Sequence, residues 1–164
     1  MKLGPIPEFE ALQVLRRADA AQKVHPASST MARDTMRQAM EEGRSFVFDG
    51  TMSKGEKDLE WIKLARSKGY YVHLVGAAVD PGLAWKRAEE RRRLTGRGLP
   101  REALEDGHRG FAVSFEQFLP YVDEAVLYDT TNGAYQAKRI YEKRGKTVDV
   151  VDRNLNSAFG ERKQ

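Results

Sequence analysis

Apolar residues follow two spacings along this chain, and the two spacings alternate through most of the sequence. Stretches in which they recur every three or four positions predict amphipathic helices, and these are residues 8–23, 28–42, 56–68, 101–121 and 135–143. Short runs that are almost continuously apolar predict buried strands, and these are residues 45–51, 70–77, 124–129 and 147–151. Helices and strands that alternate in this way predict an α/β fold with a parallel sheet covered on both faces, which is a three-layer α/β/α arrangement.

The composition is typical of a soluble globular protein. The chain has 164 residues, 40% hydrophobic and 32% charged, with a polar tail from about residue 153, and we expect one domain spanning residues 1–164. No apolar run is long enough to cross a membrane and no signal peptide opens the sequence, so we expect no membrane partner. The absence of cysteine excludes disulfides, thiolate zinc sites and a cysteine nucleophile, and it favours the cytoplasm. The three histidines lack metal-ligand spacing, so we predict no metal site.

The charge balance indicates an anionic partner. The formal net charge is +4 and the isoelectric point is near 9.3. Nucleotide phosphate and nucleic acid would both satisfy this charge, and bulk charge does not choose between them. The run Arg91-Arg92-Arg93 favours nucleic acid, but no aromatic-rich binding surface or recognition motif accompanies it. We therefore expect a nucleotide rather than a nucleic acid.

The segment from residue 80 to residue 100 carries the strongest local signals. Asp80 can cap a helix, and Pro81 suits the first helical position because its missing N–H would have been unpaired there anyway. The predicted helix places Arg87 and Arg91 four residues apart on one face and ends near Gly96. Arg97 follows on a loop, between two glycines.

Guanidinium groups in this arrangement can bind a highly charged anion such as a triphosphate. Arginine offers a planar fork of donors and keeps its charge, so it can neutralise charge spread over phosphoryl oxygens. The alternative is a solvated helix in which Glu89 and Glu90 pair with neighbouring basic residues. Arg87 and Arg97 are our main phosphate-binding candidates, and Arg91 is a further one.

Polar residues follow three of the predicted strands. In a parallel sheet, ligands bind beyond the carboxyl ends of the strands, and here these ends are residues 49–51, 78–80 and 129–131. Asp49 and Thr51 are therefore candidate substrate-binding residues. The alternative for both is a structural role, in which they cap the helix or loop that follows.

One loop has the glycine spacing of a phosphate-binding loop without its chemistry. Gly50 and Gly55 stand five residues apart between a predicted strand and a predicted helix. A working loop would continue with lysine and then serine or threonine, for phosphate and Mg²⁺. Glu56 and Lys57 stand there instead, and the complete motif occurs nowhere in the 164 residues.

Several short motifs, in this order along the chain, resemble the zeta toxin family of P-loop kinases. They are I-P-E-F-E-A-L, V-H-P-A-S-S, F-D-G-T, K-G-Y-Y-V-H-L-V, A-W-K-R-A-E, T-G-R-G-L-P and L-Y-D-T-T. The resemblance implies a P-loop nucleoside triphosphate hydrolase/kinase type of α/β/α fold. It also implies transfer of the γ-phosphate of ATP, with Mg²⁺, and for the toxin branch the acceptor UDP-N-acetylglucosamine.

The resemblance also implies roles for individual residues. The family's two catalytic arginines correspond to Arg87 and Arg97, and its substrate-loop threonine corresponds to Thr51. By this correspondence the loop after Gly50 binds the acceptor and not ATP. Ala27 stands where many family members carry glutamate.

The Walker A lysine and the acidic base of the family have no counterpart here, and both would precede Met1. We therefore expect an N-terminally truncated kinase domain that is inactive as these 164 residues. The alternative is a non-catalytic remnant that binds a nucleotide sugar or a protein such as an antitoxin. A third partner is a second copy of the chain, bound through an exposed sheet edge.

Overall fold

The computed structural model describes residues 20–152, together with Asn154 and Phe159. Its helices are α1 (Ala20–Glu41), α2 (Glu56–Ser67), α3 (Pro81–Thr95) and α4 (Arg101–Phe118). Its strands are β1 (His73–Ala78), β2 (Glu124–Asp129), β3 (Lys138–Arg144) and β4 (Thr147–Asp149). Short 3₁₀ turns occupy Leu119–Tyr121 and Ala134–Gln136. The contacts divide the described chain into two compact units, one with residues 20–49 and 84–104 and one with residues 50–83 and 105–159.

The four described strands form one mixed sheet in the order β1-β2-β3-β4. β1 and β2 are parallel, with His73 opposite Glu124 and Ala78 opposite Asp129. β2, β3 and β4 are successively antiparallel. The prediction of an α/β fold is confirmed, whereas the prediction of a wholly parallel sheet is wrong, because only one of the three strand pairs is parallel.

The error in the sheet comes from the segment predicted as a helix over residues 135–143. That segment is largely β3, which pairs with β2 so that Tyr141 lies opposite Leu127. A two-residue turn with Gly145 at φ 56° then returns the chain into β4. Nine residues are too few for apolar spacing to separate helix from strand, and pairing with a distant strand decided the outcome.

The strand predicted over residues 45–51 is also absent. The described chain has no helix or strand from residue 44 to residue 53, and the Val47 side chain is 97% exposed. A short apolar run becomes a strand only when a neighbouring strand satisfies its backbone N–H and C=O groups. None of β1 to β4 pairs with this segment.

The core of the second unit contains side chains of α2, α4 and the sheet. Phe115 of α4 packs edge-to-face against Tyr141 and Phe159, with ring centroids 5.7 and 5.8 Å apart. Each fully buried large side chain contributes about 1.5–3 kcal/mol relative to exposure. The other buried members of this cluster are Ile62, Leu74, Ala78, Ala112, Phe118, Val122, Ala125, Leu127 and Ile140.

The opposite face of β1 is not buried. Leu74, Gly76 and Ala78 point into the core, whereas the alternate residues are exposed, including Val75 at 62%. The prediction that this strand is buried on both faces is therefore wrong. The alternation is that of a strand covered on one side only.

In the first unit, α1 buries Met36, Ala39 and Met40 and ends where the sequence predicts. Gly43 has φ 65°, and the Arg44 amide donates to the Ala39 carbonyl at 2.9 Å. This is a glycine C-terminal cap. The helix predicted over residues 8–23 lies mostly outside the described residues, and its last four positions belong to α1. Among the described helices, none is long and apolar enough to cross a membrane.

Candidate functional site

The arginine helix α3 begins and ends as the sequence predicts. Asp80 Oδ1 accepts a hydrogen bond from the Leu83 amide at 2.9 Å, and Pro81 is the first helical residue. Gly96 ends the helix with φ 69°. Between these limits, Arg87 and Arg91 are both exposed and lie one helical turn apart.

The loop after α3 folds back onto the helix at Gly98. A Cβ at Gly98 would lie 2.5 Å from Cδ of Arg92, so only glycine fits this approach without displacing the Arg92 side chain. Arg92 also pairs with Glu89, with Nε and Oε1 3.1 Å apart. The Arg97 amide contacts Thr95 Oγ1 at 3.3 Å, and the Arg97 side chain is exposed. The first unit thus contains Arg87, Arg91 and Arg97 on one helix and the loop that leaves it.

The two substrate-binding candidates fall in different units. Asp49 ends residues 20–49 of the first unit and is exposed, in a segment without regular structure. Thr51 belongs to the second unit, and its Oγ1 shares a hydrogen bond of 3.0 Å with Oγ of Ser53. The sequence predicted both residues at the carboxyl end of a strand. That prediction is wrong, because neither residue follows a strand in the described chain.

The loop over residues 51–55, which we call the DGT loop after the motif over residues 49–51 that leads into it, uses two of its amide groups in hydrogen bonds within the protein. The Lys54 amide donates to Asp58 Oδ2 at 2.9 Å, and the Gly55 amide donates to Ser114 Oγ at 3.2 Å. Glu56 and Asp58 add negative charge to the first turn of α2. A phosphate at a helix N-terminus needs available amides and positive potential, so this loop does not fit a triphosphate.

The described residues fit only part of an ATP–Mg²⁺ site. The exposed arginines of α3 suit phosphoryl oxygens, because guanidinium groups bind them through paired hydrogen bonds. Within the described ranges, no group of three or more His, Cys, Asp or Glu side chains could hold a metal ion. Magnesium is nevertheless often held by few protein ligands together with substrate phosphates.

The carboxyl ends of β1 and β2 meet, as expected for parallel neighbours. The Thr130 amide and hydroxyl both bond to the Ala78 carbonyl, at 2.8 and 3.0 Å. Asp129 is buried, and its Oδ1 accepts from the hydroxyl and the amide of Thr131, at 2.7 and 3.3 Å. This carboxylate therefore shapes the turn that follows β2.

Two residues in contact with the DGT loop were missed at the sequence level. Ser114 and Gly110 of α4 both approach this loop, although they lie more than 50 residues further along the chain. The only local signal was a glycine in the interior of a predicted helix, which often marks close packing.

Comparison with known families agrees with the order of the motifs. The family model described as Zeta toxin matches residues 5–148, which is most of the chain. Comparisons with curated proteins and with solved structures give no match. On the strength of the family match, which takes in α3, the DGT loop and the parallel pair β1–β2, the chain belongs to the zeta toxin family.

Proposed function

We propose that this chain is a phosphotransferase domain of the zeta toxin type, acting on a small acceptor such as UDP-N-acetylglucosamine. The observation that carries the proposal is the family match over residues 5–148. In this proposal residues 1–164 form one domain of the P-loop kinase type. The parallel pair β1–β2, with joined carboxyl ends, supports that assignment.

In this proposal, the arginines stabilise the phosphoryl group during transfer. In the complete reaction the bond from γ-phosphorus to the bridging oxygen, which leaves with ADP, would break and a bond would form to an acceptor hydroxyl oxygen. The hydroxyl proton would pass to an acidic base that has no counterpart in these 164 residues. Catalysis of this kind is mostly positioning and charge stabilisation, and one arginine at the transferred group contributes roughly 10³-fold or more. Arg87 and Arg97 take this role, with Arg91 on the nucleotide phosphates and with Asp49 and Thr51 on the acceptor.

We further propose that these 164 residues bind the acceptor without transferring phosphate by themselves. The complete phosphate-loop motif does not occur in them. The Gly50–Gly55 segment is a poor substitute for it, because its Lys54 and Gly55 amides already donate to Asp58 and Ser114. This second observation favours the alternative function, a non-catalytic protein that binds a nucleotide sugar.

The acceptor assignment is tested by titrating the chain with UDP-N-acetylglucosamine in a calorimeter. Binding by the wild type that weakens in Thr51→Ala supports the acceptor role, and no binding overturns it. Incubation with radiolabelled ATP and the same acceptor tests catalysis. Label transfer by the purified 164-residue chain would overturn the proposed inactivity.

The arginine assignment has its own test with inorganic triphosphate as the probe. Arg87→Ala and Arg97→Ala should each weaken binding by roughly 10- to 150-fold, because each removes charge-assisted hydrogen bonds worth about 1.5–3 kcal/mol. Arg37→Ala is the matched control, since Arg37 is an exposed helical arginine of α1 that pairs with Asp34. Equal losses in all three variants would mean that only bulk charge attracts the probe.

Protein partners form a further part of the proposal. The zeta toxin family and the net charge of +4 support an acidic, antitoxin-like partner. The position of β1 at one end of the described sheet, where it pairs with β2 alone, supports a second copy of the chain as another partner.

A further inference from the structure

One face of α4 forms a platform for the DGT loop. Gly110, Ser114 and Gln117 recur at four- and three-residue spacing, so they share this face. Ser114 is 1% exposed, and its Oγ accepts the Gly55 amide at 3.2 Å. A Cβ at Gly55 would lie 3.7 Å from Gln117 Oε1, which is ordinary contact distance.

Gly110 makes the closest approach on this platform. A Cβ at Gly110 would lie 2.5 Å from the carbonyl oxygen of Ser53 and 3.0 Å from its Cβ. Real Cβ atoms do not come so near to backbone oxygen, and backbone cannot rotate away as a flexible side chain can. Any other residue at position 110 would therefore displace Ser53.

A second glycine on the same helix provides the contrast. Gly107 lies one turn earlier in α4, and a Cβ there would meet no atom within 4 Å. Glycine lowers helix stability at both positions because of its backbone freedom. Only at Gly110 does the packing require it.

The DGT loop needs support from outside, because its own backbone is unfavourable. Met52 has φ 48°, which residues other than glycine seldom adopt. Such conformations persist when the surrounding structure imposes them. Contact at Ser53 and a hydrogen bond at Gly55 place α4 against the loop on both sides of Lys54.

Ser53, which Gly110 approaches closely, is hydrogen-bonded to Thr51, the candidate acceptor-binding residue. Ser53 Oγ lies 3.0 Å from Thr51 Oγ1, within hydrogen-bond distance. A shift of the Ser53 backbone therefore moves the partner of the Thr51 hydroxyl. Displacements of about 1 Å at a positioning group can lower reaction rates by as much as 100-fold.

We propose that Gly110 and Ser114 are positioning residues for the acceptor site. They hold the DGT loop in place and thereby fix the position of the Thr51 hydroxyl. The identity of the ligand, a nucleotide sugar, rests on the proposed function. The positioning itself rests on the contacts of α4 with Ser53 and Gly55.

The experiment compares Gly110→Ala with the matched control Gly107→Ala, using UDP-N-acetylglucosamine as the probe. Amide hydrogen exchange reports on order in residues 51–55, and thermal unfolding reports on overall stability. We expect Gly110→Ala to weaken probe binding by about tenfold, because the displaced Thr51 hydroxyl would lose its hydrogen bond to the probe, and to speed exchange in the loop. Gly107→Ala should leave probe binding and loop exchange unchanged. Exchange in β1 and β2 should be the same in Gly110→Ala and Gly107→Ala.

Ser114→Ala provides a second route if Gly110→Ala does not fold. It removes the acceptor of the Gly55 amide without adding volume, so the Gly55 amide should exchange faster and the probe should bind less tightly. Unchanged loop exchange in the folded variants overturns the positioning role, and so does faster exchange with unchanged probe affinity. If the wild type does not bind the probe, the acceptor assignment fails, and loop exchange alone then decides whether α4 orders the DGT loop.

Discussion

Arg66 places its Nη1 atom 2.5 Å from both carboxylate oxygens of Asp123. The same carboxylate accepts the Val72 amide at 2.7 Å, and the Asp123 amide donates to the Val72 carbonyl at 3.0 Å. One aspartate thus joins the end of α2 to the chain entering β1 and to the chain entering β2. The parallel register of β1 and β2 begins directly after these bonds, with His73 opposite Glu124.

Asp123→Ala should destabilise the protein by about 2 kcal/mol, because it removes charge-assisted hydrogen bonds and leaves the Val72 amide without its carboxylate partner. The Asp123 side chain is only 20% exposed, so water replaces these bonds incompletely. Urea unfolding followed by circular dichroism measures the change. Asp106→Ala is the control, since Asp106 forms a surface pair with Arg109, is 61% exposed, and should cost less than about 0.5 kcal/mol. Equal losses would contradict a special role for Asp123.

Gly76→Ala should destabilise the core by about 1–3 kcal/mol through overpacking. A Cβ at this β1 position would lie 2.8 Å from both Cδ1 of Leu127 and Cζ of Phe111. Phe111→Leu removes one of the two obstructing groups, so the double variant should lose less stability than the sum of the single variants. Ala77→Val adds volume on the exposed face of the same strand and should change stability by less than about 0.5 kcal/mol. Additive losses in the double variant would contradict the close contact with Phe111.

Tyr141 should make the protein sensitive to alkaline pH. Burial, and secondarily the negative charge of Glu116, raise the pKa of Tyr141 above its ordinary value of 10.0. Below that value both the folded and the unfolded states keep the proton, so the contribution to stability is fully present. Above it the unfolded state loses the proton first, so stability falls until the pH has passed the folded-state pKa.

The measurement is the denaturant midpoint of the wild type and Tyr141→Phe across this alkaline range. The variant lacks the ionising hydroxyl, so its midpoint should fall less steeply as pH rises through about 10. Tyr135→Phe serves as the control because Tyr135 is fully exposed, and its profile should follow that of the wild type. Parallel profiles for all three proteins would contradict the raised pKa of Tyr141.

Residues near the ends of α3 and β2 were enough to predict where these two elements begin and end. Asp80 and Pro81 fixed the start of α3, and Gly96 fixed its end, because caps act within a few residues of the helix they bound. The limits of β2 were also predicted, since its run of apolar residues is flanked by polar ones. The candidate arginines could be named for the same reason: their helix was predictable.

Features that depend on distant partners could not be predicted. The segment that forms β3 was predicted as a helix, because the spacing of its apolar residues contains no information about its pairing with β2. Ser114 and Gly110 meet the DGT loop only after α4 packs beside it. The exposed conformation of Val47 likewise depends on the lack of a paired strand among β1 to β4.

Self-association through β1 is the remaining prediction. β1 is at one end of the described sheet and pairs there with β2 alone. Its sequence, H-L-V-G-A-A, contains no proline and no lysine, the residues that usually protect an edge strand from pairing with another chain. A second copy could therefore add its own β1 to this edge in an antiparallel arrangement about a two-fold axis.

The alternation of burial restricts the register of such a dimer. Leu74 and Gly76 face the core while Val75 is exposed, and residues opposite each other in an antiparallel pair lie on the same face. Both cores therefore stay buried only in registers that place Val75 opposite an exposed residue of the second chain, such as that chain's Val75. Size-exclusion chromatography with light scattering should then show a dimer whose fraction rises with protein concentration. Val75→Lys should shift it to monomer, because the paired chains would carry charges close to one another.

Val148→Lys is the matched control for this dimer. Val148 is an exposed valine on β4, at the opposite end of the same sheet, so the substitution adds the same charge without touching β1. It should leave the monomer–dimer equilibrium unchanged. Dissociation by Val148→Lys instead of Val75→Lys would place the contact on β4, and a monomer at every concentration would exclude association through either edge. Loss of the dimer in both variants would trace association to the net charge of the chain, because each adds one positive charge to the formal +4.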